Sequence, residues 1–266
     1  GLYLYHRDLT LVPWLVHGFS LRRAINFKVK PTLDFNNQIY NKKQESIRKQ
    51  FIKILTGENL PLVLLNQTHS EKIHCLKRFP PENSIQEGDA LITTLPKILL
   101  GIQVADCLSV LVVDTSKRVI AAIHAGWRGL LKGVVSKTIA LMQSHYFANP
   151  RNCIAVIGPS IGPCCYEVGN EVATPFRRIF KNHPSIFNAR LKSHTHPIGS
   201  HNPLRYDPIT KHLNLSAACR YQLQSSGLDL HNISSDPPCT FCHNEVFFSY
   251  RANKGVTARM LALIGL

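Results

Sequence analysis

The sequence predicts one mixed α+β domain, and three observations carry that expectation. The chain has 266 residues, a length that suits one large domain or two small ones at roughly 100–200 residues each. Its composition, 44% apolar and 18% charged, is that of a folded domain and excludes a disordered chain. Short β-branched apolar runs alternate with helical periodicities, but without the regular βαβ rhythm of a parallel sheet.

The elements follow in order. Residues 21–60 carry a weak pattern, in which 42–55 is expected to be a helix. Leu62-Val63-Leu64-Leu65 is a short apolar run that leads to Gln67-Thr68-His69-Ser70. Leu99-Leu100-Gly101-Ile102-Gln103-Val104 leads to Ala105-Asp106-Cys107 and resumes as Leu108-Ser109-Val110-Leu111-Val112-Val113. Val119-Ile120-Ala121-Ala122-Ile123 ends at His124-Ala125-Gly126, and Cys153-Ile154-Ala155-Val156-Ile157 ends at Gly158-Pro159. Such runs, closed by Gly or Pro, read as buried strands. Residues 130–146 have helical spacing, with Leu130, Val134, Val135, Thr138, Ile139 and Met142 on one side. Residues 167–180 are a second helix candidate, weakened by Pro175. Residues 246–250 read as a strand, as do residues 257–264 after an Asn253-Lys254-Gly255 turn.

Two features of the composition bear on function. Lys plus Arg exceeds Asp plus Glu by 31 to 16, a balance of +15 that attracts anions without naming one. The excess is concentrated in residues 21–55 and 176–212, which read as a solvated surface or as an electropositive rim for an anionic ligand. No RNA-binding motif or aromatic interleaving accompanies it, so nucleic acid is disfavoured as a partner. No apolar stretch approaches the roughly 20 residues that span a bilayer. The eight cysteines come without the basic-then-apolar order of a signal peptide at residues 1–8, so the expected setting is a reducing, cytoplasmic one.

His69, Cys107 and His124 each follow an apolar run. Imidazole and thiolate are zinc ligands, and catalytic zinc keeps three protein ligands plus an open position. The spacings of 38 and 17 residues are not those of a zinc finger, so local spacing leaves core packing open as the alternative for each residue. Gly126 and Gly129 flank Trp127-Arg128, a turn that suits either an anion or an ordinary strand-to-helix connection. Cys239 and Cys242 form one C-x-x-C beside His243, compatible with a second zinc or a redox pair but a weak signal alone. Tyr166, Trp127, Phe248 and Tyr250 are candidates for contact with a planar ligand, with core packing as the alternative.

Six motifs occur in a fixed order: Asn66-Gln67-Thr68-His69-Ser70, Asp89-Ala90-Leu91-Ile92-Thr93, Ala105-Asp106-Cys107-Leu108, His124-Ala125-Gly126-Trp127-Arg128-Gly129, the stretch from Gly158-Pro159 to Cys164-Cys165-Tyr166-Glu167-Val168, and Phe247-Phe248-Ser249-Tyr250-Arg251. Together they resemble the laccase-domain family, formerly called polyphenol oxidases and described as zinc-dependent purine nucleoside phosphorylases with adenosine deaminase activity. One bacterial branch is named a peptidoglycan editing factor. The resemblance runs from about residue 17 to 266 and implies a single catalytic domain, an α/β/β/α sandwich with mixed sheets between helices.

It further implies His69, Cys107 and His124 as metal ligands, with zinc as the ion and copper disfavoured for want of His-rich clusters. The implied substrates are phosphate and a purine nucleoside: adenosine, inosine, guanosine or methylthioadenosine. Arg22, Arg128, Arg259 and Gln67 are then candidates for phosphate or substrate binding, and Asp89 for the carboxylate that moves protons, its alternative being to cap a turn. Asp106, one residue before a ligand, points to the opposite face of an extended segment and suits a supporting role. The sequence departs from the family pattern at Ser109, where Pro is usual, at Ala258 within Thr257-Ala258-Arg259, where Gly is usual, and after Arg22, where a Gly-rich loop is usual. Two other functions are compatible with these residues: a cell-wall precursor hydrolase that removes a wrong amino acid from UDP-muramyl substrates, and a non-catalytic basic RNA-binding protein. No protein partner is implied.

Overall fold

A computed structural model describes residues 3–22, 42–81, 85–187, 211–234, 237–255 and 257–266. The basic stretches at 21–55 and 176–212 fall partly outside these residues, and the segment after Arg22, residues 23–27, falls wholly outside them.

The strands, in chain order, are β1 (Tyr3–Leu4), β2 (Val16–Ser20), β3 (Leu62–Val63), β4 (Leu65–Asn66), β5 (Ile73–Leu76), β6 (Gln86–Glu87), β7 (Ala90–Thr93), β8 (Leu99–Val104), β9 (Leu108–Asp114), β10 (Val119–Ala125), β11 (Cys153–Ile157) and β12 (Met260–Gly265). The helices are α1 (Arg7–Thr10), α2 (Lys42–Thr56), α3 (Trp127–Leu131), α4 (Val134–Tyr146), α5 (Asn170–Ile179) and α6 (Leu215–Ser225). One five-stranded sheet has the order β1-β2-β12-β8-β3, and a second has β11-β9-β10-β7-β5. Both are mixed: β3 runs parallel to β8 and β5 parallel to β7, while the other neighbours are antiparallel. A two-stranded ribbon pairs β4 with β6.

The two-residue period of the strands sorts their side chains into layers. On β9, Leu111 and Val113 enter the core between the sheets, whereas Leu108, Val110 and Val112 pack toward the helices. On β10, Ile120 and Ala122 face the inter-sheet core and Val119, Ala121 and Ile123 the helical layer. The other sheet behaves alike. Met260, Ala262 and Ile264 of β12 point inward, and Leu261 and Leu263 pack with Phe51 and Ile52 of α2. The result is the expected four-layer order, helix on sheet on sheet on helix. It also explains why β8, β9 and β10 read as continuous apolar runs: both their faces are buried.

Helix α2 matches its expected span almost residue for residue. Four other expectations need correction. The helix expected over 130–146 is two helices, because Gly133 adopts a left-handed φ of 77° that ends α3 and starts α4. The helix expected over 167–180 begins only at Asn170, with Pro175 accommodated inside it. Residues 246–250 form no strand; Val246 N and Phe247 N donate to the His243 carbonyl, although Phe247 and Phe248 are buried. The last strand begins at Met260, later than expected. Helix α6, which the sequence reading passed over, is capped by the Asn214 side chain accepting from Ala217 N at 3.0 Å.

Asp114, fully buried at the end of β9, joins two connections. Its carboxylate accepts from Ser116 N, Lys117 N and the Ser116 hydroxyl on one oxygen, and from Asn149 N on the other. Burial opposes its charge, but the amides of Lys117 and Asn149 prevail and hold the carboxyl below its ordinary value. A carboxyl with a lowered folded-state pKa contributes stability above the unfolded value of about 4 and loses it as pH falls below that. Asp114→Asn is therefore expected to destabilise the protein by about 1–3 kcal/mol at neutral pH. Urea midpoints of both proteins measured against pH should converge in acid; a gap that persists at low pH would contradict the assignment.

Candidate active site

The three candidate ligands reach one point from three connections. His69 lies between β4 and β5, Cys107 in the tight link from β8 to β9, and His124 near the end of β10. One donor atom from each lies within 4.8 Å of the other two. His69 Nε2 is 3.7 Å from Cys107 Sγ, and the two imidazole rings meet edge to face at 4.8 Å.

Asp89 organises this cluster from behind. Its carboxylate is fully buried and accepts from Thr68 N, His69 N, Ser70 N and the Ser70 hydroxyl. It also contacts His124 Nδ1 at 2.7 Å, which leaves Nε2 of that ring for the cluster. A carboxylate that fixes the far nitrogen of a metal-binding histidine is a common supporting arrangement. Burial disfavours the Asp89 charge, but the hydrogen bonds from His124 and Ser70 outweigh it and hold the carboxyl at about 2.

The electrostatics couple Cys107 to His124. Burial disfavours charge at both Cys107 and His124, yet each stabilises the other's ion. The Cys107 thiol is lowered to about 6 by the two imidazoles, and His124 is raised to about 9 by Cys107 and Asp89. Each of the two therefore favours the charged form of the other. A metal cation can replace the imidazolium proton as the thiolate's counter-charge.

Two backbone positions beside the ligands lie in the left-handed region without being glycine: His69 at φ 58° and Asp106 at φ 86°. Such a residue costs about 1–3 kcal/mol, so its surroundings must hold it. At His69 the Asp89 carboxylate does so by taking three successive amides. At Asp106 the side chain accepts from the Thr240 hydroxyl at 2.6 Å and from Arg251 N at 2.7 Å, and its carbonyl accepts from Ile161 N. The supporting role expected of Asp106 thus has named partners. Gly126 completes the cluster by its lack of a side chain: a Cβ there would stand 2.9 Å from His69 and 3.1 Å from Cys107 Sγ.

The other sequence candidates sit as follows. Gln67 exchanges two hydrogen bonds with the Gln103 backbone, at 2.7 and 2.8 Å, and so fastens the His69 loop to β8. The Arg128 guanidinium lies over the Trp127 ring at 4.3 Å, one turn from His124. Arg22 donates to the Asn244 carbonyl at 2.6 Å and lies over Phe248, while Arg259 donates to the Thr257 carbonyl and lies over Tyr250. Arg22 thus packs on the segment that contains Arg259 and Arg251; Arg251 N donates to Asp106, and its guanidinium lies over Tyr166. The sequence reading missed Gln103, Thr240 and Arg251. Gln103 and Arg251 act through main-chain atoms, which a side-chain motif does not encode, and the Thr240 hydroxyl meets Asp106 across 134 residues of sequence. It also missed that Cys164 and Cys165 meet Cys239 and Cys242.

Two imidazoles and a thiol converge between the strands of a four-layer sandwich, a compact donor set that could hold a metal ion. A family model described as multi-copper polyphenol oxidoreductase laccase matches residues 28–266. The chain belongs to that family. It is 30% identical over 256 residues to a purine nucleoside phosphorylase of Haemophilus influenzae, covering 95% of each chain. It is 32% identical over 199 residues to adenosine deaminase RL5 from an unknown prokaryotic organism, covering 71% of this chain and 69% of that one. The crystal structure of YlmD from Geobacillus stearothermophilus superposes with a TM-score of 0.79 at 25% identity, covering 99% of this chain and 98% of the other. Among the described residues, no helix is long and apolar enough to cross a membrane.

Proposed function

We propose that this chain is a zinc-dependent enzyme of purine nucleoside cleavage, using phosphate to release the base, with adenosine deamination as a second reaction of the same centre. The single observation that carries the proposal is the convergence of His69, Cys107 and His124, backed by buried Asp89, in a chain whose relatives are named for these two activities. The donor set fits zinc, for which one thiolate and two imidazoles leave a fourth position open. Oxidation through several coppers needs several His-rich sites. The two candidate ligand groups among the described residues hold two histidines and none.

In phosphorolysis a phosphate oxygen forms a bond to C1′ of the ribose as the bond from C1′ to the purine nitrogen breaks, giving ribose 1-phosphate and the free base. Zinc, when bound, supplies a Lewis-acid charge at neutral pH. His69, Cys107 and His124 would hold it, and Asp89 keeps the His124 ring in one orientation by holding Nδ1. Asp89 has its oxygens occupied by His124 and the 68–70 amides, so we assign it as a positioning residue. Arg128, on the turn that follows His124, is the first candidate to bind phosphate, with Arg22 and Arg259 as further cations.

The test is incubation of the zinc-loaded protein with adenosine or inosine, with and without phosphate. The expected result is phosphate-dependent appearance of adenine or hypoxanthine with ribose 1-phosphate, and inosine from adenosine alone. Absence of every one of these products would refute the proposal. Arg128→Ala is expected to raise KM for phosphate about tenfold or more, the scale of one charged hydrogen bond, with a smaller change for the nucleoside. Equal phosphate KM values would remove Arg128 from anion binding.

A further inference from the structure

A second cluster of soft ligands lies outside the centre described above. Cys164 and Cys165 come from the loop that follows β11, and Cys239 and Cys242 from the loop that follows residue 237, more than seventy residues later. Their four sulfur atoms all lie within 4.8 Å of one another. Cys242 Sγ is 3.6 Å from Cys164 Sγ and 3.4 Å from Cys165 Sγ, and all four residues are free thiols. These are non-bonded separations, far above the roughly 2.05 Å of a disulfide. They match the edge of a sulfur tetrahedron around zinc, which is about 3.8 Å for a metal–sulfur bond of about 2.3 Å.

The surrounding backbone is shaped to the sulfurs. Gly162 N donates to Cys239 Sγ at 3.2 Å, an interaction that stabilises a thiolate. A Cβ on Gly162 would stand 3.2 Å from Cys164 Sγ and 3.2 Å from Cys239 Cβ, so a side chain there would crowd the cluster. Cys165 N and Tyr166 N both donate to the Gly162 carbonyl, a tight turn that brings two adjacent cysteines to the same point. His243 N donates to the Cys239 carbonyl and closes the C-x-x-C turn opposite. Cys239 is buried and the other three are half-buried.

We propose that Cys164, Cys165, Cys239 and Cys242 form a second metal site, a mononuclear tetrathiolate zinc centre with a structural role. All four positions of the ion are filled by protein, so the site has no vacancy for substrate. Its role follows from what the two loops hold. Ser160 N donates to the Pro238 carbonyl, and Thr240 N donates to the Ser160 carbonyl, so the loops run side by side. Each loop then contacts Asp106, one through Ile161 N and the other through the Thr240 hydroxyl. Asp106 precedes Cys107. The second ion therefore clamps the two loops that fix the backbone of the catalytic thiolate.

The test counts zinc by native mass spectrometry on protein purified with a monodentate reductant. Wild-type protein is expected to carry two zinc ions per chain. His69→Ala with Cys107→Ala, which removes the first centre, is expected to keep one, so the second site is scored independently of the proposed enzyme activity. Cobalt(II) loaded into this double variant should give the intense sulfur-to-metal absorption of a four-thiolate site, and Cys239→Ser with Cys242→Ser should abolish it. Double-variant protein without zinc, with its four remaining cluster cysteines alkylating freely or joined as disulfides, would overturn the proposal. So would a cobalt spectrum that the Cys239→Ser and Cys242→Ser changes leave intact.

Discussion

Replacing Cys107 with alanine is expected to lower kcat/KM for nucleoside phosphorolysis by about 10³-fold or more, the scale on which loss of a charge-stabilising element is felt. Cys107 supplies the only thiolate of the donor triad and the only negative charge that touches both imidazoles. Without it two neutral or cationic rings face each other 4.8 Å apart, which is a poor divalent site. The side chain is small and half-buried in a loop, so the fold should survive with little change in urea midpoint. The informative readout is therefore paired: zinc content of the His69–Cys107–His124 centre and catalytic rate, measured on the same preparation. Undiminished rate in zinc-depleted Cys107→Ala protein would remove the thiolate from the mechanism.

Asp89→Asn should harm both stability and metal affinity. The carboxylate accepts from three amides and a hydroxyl while holding His124 Nδ1, all without contact with water. Asparagine has one oxygen instead of two, and its NH₂ group must face either the amides or the imidazole N–H. Leaving buried donors unsatisfied and removing the counter-charge should cost about 3 kcal/mol. The His69 backbone at φ 58° would lose its restraint, and the His124 ring its orientation. Zinc affinity is expected to fall about 10–100-fold, the range for loss of a partner behind a metal-bound histidine. Denaturation curves and competition with a chelator measure the two effects separately. A normal zinc affinity in a destabilised variant would show that Asp89 serves the fold alone.

His69, Cys107 and His124 stood out in the sequence because each follows an apolar run, but only the family resemblance of the surrounding motifs joined them as one candidate site; local spacing left core packing open for each. Layer order was legible in part. The uninterrupted apolar character of β8, β9 and β10 signals burial on both faces, but which residues face helices and which face the other sheet emerges only once the strands pair. Val246, Phe247 and Phe248 misled as a strand because aromatic and β-branched residues suit a pleated surface. Here local amide bonds to His243 set the backbone, and burial of the two phenylalanines needs no ladder. Gly133 ended a helix whose apolar spacing ran straight through it. The four-cysteine cluster was half visible as one C-x-x-C. Its other half lies 77 residues away and becomes a partner only through the parallel contact of two loops.

The most direct measurement is an anomalous difference map, collected at the zinc edge, from crystals of protein shown to cleave nucleosides in solution. A peak at bonding distance from His69, Cys107 Sγ and His124 Nε2, with a fourth position reached by no protein atom, is the predicted result. An active protein whose map has no peak among those three side chains would contradict the account.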